Sequence, residues 1–217
     1  MAALKGAFLN FGAGLLGALP NIVVFQFNPT QVSRIPSIPR RPQSCTNAGS
    51  TNANQQPCPP SETMSFTLRV DATDLLAQSN PIAATSGILP TLSALELLMV
   101  PQSSLSLNLF SLSGSSGSHQ SPPSSLPTVL FFWGPWRILP VAITSLSVTE
   151  TEYDTLLNPV RADVSVSLQV LQPSQLAGDT LGNAAYNYSA GVKQVMAALN
   201  LAYAAQFGVS ASLSFSI

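Results

Sequence analysis

The chain has 217 residues and a formal net charge of −1, and only 8% of its residues are charged, against about 25% in ordinary soluble domains. That balance, with a pI near 5.7, gives no basic footprint for nucleic acid or for an anionic membrane surface. The length suits one well-filled core with long decorations. With hydrophobic residues at 46%, so little charge predicts extensive burial against partners.

From Met1 to Pro20 a single Lys5 precedes Phe8, Leu9, Phe11, Leu15 and Leu16, which superficially suggests a secretory leader. Gly6, Gly12, Gly14 and Gly17 dilute the apolar run and no A-x-A site follows, so the segment reads as an N-terminal arm or helix packing on a neighbour. No window reaches the roughly 18 apolar residues of a membrane span. Ile22 to Phe27 reads as a short strand, stopped by the turn dipeptide Asn28-Pro29.

From Ser33 to Pro60 the composition is Pro, Ser, Asn and Gln with Arg34, Arg40 and Arg41, which predicts an extended loop. Cys45 and Cys58 lie within it. In an oxidising setting a bridge between them would stabilise the loop by about 3 kcal/mol; in a reducing one they are free thiols. Without a nearby His or third Cys, zinc is not expected.

Glu62 to Val70 alternates, with Met64, Phe66, Leu68 and Val70 on one face. Asp71 or Thr73 is placed to cap a helical turn carrying Leu75 and Leu76. Next, Thr91 or Ser93 is expected to cap a helix whose stripe is Leu92, Leu95 and Met99, with Pro101 ending it. Ser103 to Leu126 is a low-complexity Ser, Gly and Pro stretch. It holds His119, the single histidine, near Ser115 and Ser116, but the spacing is not that of a nucleophile elbow and no catalytic constellation is expected.

The chain is organised around Thr128 to Gln172, where β-branched and aromatic residues predict strands flanking a corner at Asn158, Pro159 and Arg161. The first arm carries Trp133 and Trp136. In the second, Ala162, Val164, Val166, Leu168 and Val170 share one face. Arg161 is expected either to brace Asp154 or Asp163 locally or to reach Glu150 or Glu152 of another subunit, a role suited to its planar fork. Leu181 to Phe207 reads as a helix with a Val192, Val195, Met196, Leu199 and Tyr203 stripe. From Val209 to Ile217 a terminal strand follows, with Leu213 and Phe215 on its apolar face.

The residues therefore predict a mainly β fold with flanking helices (α+β). Residues 1–172 form a β domain with long loops at 33–60 and 103–126, and residues 173–217 form a C-terminal helix and strand extension.

Four segments, Phe25-Gln26-Phe27-Asn28-Pro29, Val70-Asp71-Ala72-Thr73-Asp74, Trp133-Gly134 and Asn158-Pro159-Val160-Arg161-Ala162, occur in an order that resembles the tube and spike-adaptor (LysM-type tube protein) family of phage-tail-like contractile injection systems. The likeness runs from about Ile22 to Gln172. It implies a tail-tube-like β-barrel or sandwich, assembled as a hexameric baseplate ring that joins the inner tube protein to the spike or hub protein among the baseplate wedge proteins. It also implies cytoplasmic assembly into a particle, with release from the cell left open. Nothing after Gln172 looks like the LysM module with which members often continue, and many members carry Gly where this chain has Leu157-Asn158. On this reading the protein is structural, with no enzymatic activity and no cofactor. Its interface candidates are Phe27, Asn28, Pro29, Trp133, Trp136, Arg161, Leu213 and Phe215. The alternative is a secreted or envelope β-rich binding module, for which the N-terminal apolar arm and the cysteine pair speak.

Overall fold

The structure, a computed structural model, describes residues 4–10, 21–37, 60–100 and 128–206. Seven strands make one antiparallel sheet: β1 (Ala7–Asn10), β2 (Asn21–Val24), β3 (Val32–Ser37), β4 (Ser61–Asp71), β5 (Val129–Phe132), β6 (Ile138–Tyr153) and β7 (Pro159–Val170). Their order is β2-β1-β5-β6-β7-β4-β3. Three short helices, α1 (Thr73–Ala77), α2 (Pro81–Ser86) and α3 (Leu89–Leu97), follow β4, and a long helix, α4 (Thr180–Gln206), follows β7. The mainly β fold with flanking helices is thus as expected.

The alternating segments form strands for the expected reason. In β4, Glu62, Met64, Phe66, Leu68 and Val70 are buried and the residues between them exposed, and in β7 Ala162, Val164, Val166, Leu168 and Val170 are buried. The two strands pair from Glu62↔Val170 to Asp71↔Arg161. On the outer faces Ser65 pairs with Ser167, and the Thr67 and Ser165 hydroxyls meet at 3.3 Å. Apart from the exposed Arg69–Asp163 ion pair, hydroxyls rather than charges meet water there.

The sheet rolls on itself. Three strands separate β1 from β4, which in a flat sheet is roughly 19 Å, yet the rings of Phe8 and Phe66 lie 6.2 Å apart. Phe25 and Phe131 complete this aromatic interior, and Leu92 and Leu95 of α3 bury against the same core. Just beyond β2, the Gln26 carboxamide donates to the Asp71 carbonyl at 2.6 Å and accepts from the Asp71 N–H at 2.8 Å. One side chain thereby makes the two bonds that a neighbouring strand would make, joining the β2 side of the sheet to the far end of β4.

Several elements differ from expectation. Residues 7–10, read as part of an arm on a neighbour, are a strand paired on both sides with Phe8 fully buried. Their glycine-diluted surroundings hide a four-residue strand. Ser33 to Ser37, read as loop, belong to β3, an edge strand exposed almost throughout. An edge needs no apolar face and tolerates Pro36. The strand expected to reach Phe27 ends at Val24. α3 starts at Leu89, before Thr91 and Ser93, with Pro90 in its first turn and no side-chain cap. α2, capped by the Asn80 side chain on the Ile82 and Ala83 N–H groups, was not anticipated. Between α2 and α3, Gly87 has φ +56°, and a Cβ there would lie 2.1 Å from the Pro159 carbonyl oxygen. Cys45, Cys58, Ser115, Ser116, His119, Leu213 and Phe215 lie outside the described residues.

Candidate interaction surface

Two charged nodes sit at opposite ends of β4 and β7. At one end Arg161 bridges two carboxylates, its Nε donating to Asp71 Oδ2 at 2.8 Å and its Nη1 to Glu152. Asp71 also accepts from the Thr73 backbone and hydroxyl. Burial pushes the Asp71 carboxyl up, but the Thr73 hydrogen bonds and the Arg161 guanidinium prevail and hold it below its ordinary value. Asp71 is thus an Asx-turn acceptor before α1, whose N-cap is Ala72. The expected partners of Arg161 are otherwise engaged. Asp163 pairs with Arg69, and Asp154 accepts from the Leu156 and Asn158 N–H groups and the Asn158 side chain, closing the β6–β7 turn. Glu152 was foreseen, though as a residue of another subunit. Asp71 was not, because it lies 90 residues away in sequence.

At the other end the arrangement is inverted: one carboxylate bridges two cations. Glu62 accepts from Arg34 Nε at 2.7 Å and from Lys193 Nζ at 3.0 Å. Its side chain is 9% exposed. Burial raises its pKa as the largest single influence, but the hydrogen bonds and charges of Arg34 and Lys193 together bring it below the ordinary value. Arg137 lies close by, and burial and the like charge of Arg34 push its guanidinium down. Among the described residues it forms no ion pair. A cavity of about 430 Å³ opens here, lined by Arg34, Arg137, Lys193, Trp133, Trp136 and Met196 among others. Sequence reading missed this node. The available signal was parity: Glu62 is in phase with Met64 to Val70, so a carboxylate faces inward and needs cations.

The remaining interface candidates divide between internal and exposed roles. Asn28, itself exposed, clamps the chain to the residues just before its own first strand, accepting from the Gly6 N–H at 2.9 Å and donating to the Leu4 carbonyl at 2.8 Å. Pro29 is half-buried and Phe27 exposed. Trp133 stacks on Phe131, with ring centroids 5.8 Å apart, whereas Trp136 is 64% exposed. In α4 the first half packs through Ala185 and Ser189, and Tyr188 donates to the Pro135 carbonyl at 2.7 Å. In its second half the Val195, Met196, Leu199 and Tyr203 stripe is exposed. At the β6–β7 turn, Leu156 and Leu157 are 72% and 81% exposed.

Among the described residues no cluster of His, Cys, Asp and Glu could hold a metal ion, and no helix is long and apolar enough to cross a membrane. No protein-family model and no curated protein matches the chain. The described surface presents paired charges, exposed aromatic and aliphatic side chains, and a basic cavity.

Proposed function

We propose that the chain is a structural subunit of a phage-tail-like contractile injection system, whose rolled sheet is a tail-tube-like domain. It would form a hexameric adaptor ring between the inner tube and the central spike, bordered by baseplate wedge proteins. The observation that carries this reading is that the four segments on which the family resemblance rests meet in space. Gln26 clamps the Asp71 backbone, Arg161 pairs with Asp71, the Ala72 N–H donates to the Val160 carbonyl at 2.9 Å, and Phe25 lies 6.3 Å from Trp133. Three segments that are individually weak as sequence signals join in one brace at Asp71, and the Trp133 segment adjoins it through Phe25, as parts of a shared fold would. The apolar residues left exposed on α4 and at the β6–β7 turn supply surface for assembly.

Co-expression with its tube and spike proteins, followed by native mass measurement and averaged images, tests this. A closed ring, six-fold by expectation, seated between tube and spike supports it. A stable monomer in the presence of both partners overturns it.

A further inference from the structure

The two ends of the strands carry opposite charge in a chain with very little of it. Around the cavity stand Arg34, Arg137 and Lys193, and among the described residues Glu62 is the acid that faces them. At the other end stand Asp71, Glu150, Glu152 and Asp154, with Arg161 as the cation between them. Glu62 and Asp71 bound β4 at its two ends, nine residues apart, roughly 30 Å of extended chain. The β6–β7 turn lies further out, because β6 runs 16 residues from Ile138 beside the cavity to Tyr153 before the turn, roughly 50 Å. The two surfaces cannot meet within one molecule.

Each end also lacks something that the other has. Arg137 is half-buried beside a like charge and forms no ion pair among the described residues, so the cavity has anion-binding capacity to spare. Its walls include two indoles and Met196, surfaces suited to aliphatic side chains. The turn presents Leu156 and Leu157 almost bare, beside Asp154 and beyond the exposed end of β6 that carries Glu150. Leu157 is held at φ +63°, a left-handed conformation unfavourable for a residue with a Cβ. Apolar exposure and backbone strain coincide at a tip fixed by three hydrogen bonds to Asp154, the combination expected where a tip is shaped for contact.

We propose that copies of this chain associate head to tail, the acidic, leucine-tipped β6–β7 hairpin of one copy seating in the basic, tryptophan-walled cavity of the next. The inference rests on the ring reading above and names its contact. A heterologous contact of this kind, repeated with the right rotation, closes a ring. Leu156 and Leu157 meet Trp136 and Met196, and Glu150 or Asp154 meets Arg137, which forms no ion pair among the described residues. Charge complementarity then fixes orientation and excludes head-to-head pairing.

Two full-length variants test it, one for each side. Trp136→Asp spoils the cavity at an exposed residue. The pair Leu156→Ser with Leu157→Gly removes the apolar tip while giving the left-handed position the residue that suits it, so folding is preserved; melting curves check both. Each variant alone is expected to self-associate at least about tenfold more weakly than wild type, as loss of a central contact does, and to sediment as a monomer. An equimolar mixture is expected to give a two-copy species and nothing larger, because one intact hairpin and one intact cavity remain per pair. Folded variants that assemble as wild type does, or a mixture that stays monomeric, overturn the contact. If the variants form rings, the ring reading survives without it. A wild type that stops at two copies while the mixture behaves as expected keeps the contact and overturns the ring.

Discussion

The nodes at the two ends of β4 and β7 are inversions of each other, one cation between two carboxylates and one carboxylate between two cations, but their surroundings differ. Around Asp71 the backbone does much of the work: Gln26 binds its N–H and carbonyl, and Thr73 supplies two more donors. Around Glu62 the partners are long side chains from β3 and α4, and a third cation, Arg137, stands beside them without an ion pair among the described residues. The first end is a finished brace between the β2 side of the sheet and the end of β4. The second holds α4 in place and leaves positive charge over. The same elementary interaction is used up in bracing at one end and leaves positive charge over at the other.

Breaking the Glu62 node should have the largest effect. Glu62→Gln keeps the shape but removes the charge that answers Arg34 and Lys193, leaving three cations together. The cost expected is about 2 to 3 kcal/mol, the worth of hydrogen bonds to a charged group whose partners keep some access to water. Urea unfolding would read it, and hydrogen exchange should show α4 loosening ahead of the sheet. An unchanged midpoint would mean that Glu62 is not what holds the helix.

Gln26→Met tests the other end with a change that involves no charge. It leaves the Asp71 N–H and carbonyl without their partner in a half-buried setting, at an expected cost of about 2 kcal/mol. Protection of the Asp71 amide should fall while the Glu62 end is unaffected. Equal loosening at both ends would show that the two nodes are not independent.

How far these nodes were legible beforehand depends on sequence distance. Alternation exposed β4 and β7, and a long helical composition exposed α4, because each carries its signal locally. β1 was hidden by its four-residue length, and β3 by a polar, proline-containing edge whose partner supplies the apolar face. The brace was half legible: a corner arginine with a paired role could be read from Asn158, Pro159 and Arg161. Its partner Asp71 could not, since the pairing is made by register between β4 and β7. Parity turns the Glu62 carboxylate inward, but its partners lie 28 and 131 positions away, and nothing in local sequence names them. The α4 stripe was legible as apolar but not as uncovered, because periodicity reports a face and is silent about what lies against it.

Arg161→Lys should have a smaller effect than either change above. A single ammonium cannot reproduce the Nε contact to Asp71 together with the Nη1 contact to Glu152, so the bridge reduces to one ion pair. Thr73 and Gln26 still hold Asp71. Thermal melting is expected to shift down slightly, by less than for Gln26→Met. A fall larger than that of Glu62→Gln would reverse the ranking and make the guanidinium, rather than the backbone clamp, the principal brace.

The finest distinction is in acid. Both Glu62 and Asp71 are held below their ordinary values in the folded protein. Groups shifted in that direction contribute stability that is complete above the unfolded pKa and lost as pH falls through the folded one. For Glu62 the contribution is therefore whole above its ordinary 4.5 and declines below it. Gln at this position resembles the protonated acid at every pH. The stability gap between wild type and Glu62→Gln should accordingly be constant near neutrality and narrow as the pH is taken below 4.5, while both proteins still lose the Asp71 contribution. Melting curves of the two proteins at a series of pH values measure that gap. A gap that stays constant through the acid range would mean that the carboxylate charge is not what joins Arg34 and Lys193, and that the node is held by packing of their aliphatic stems instead.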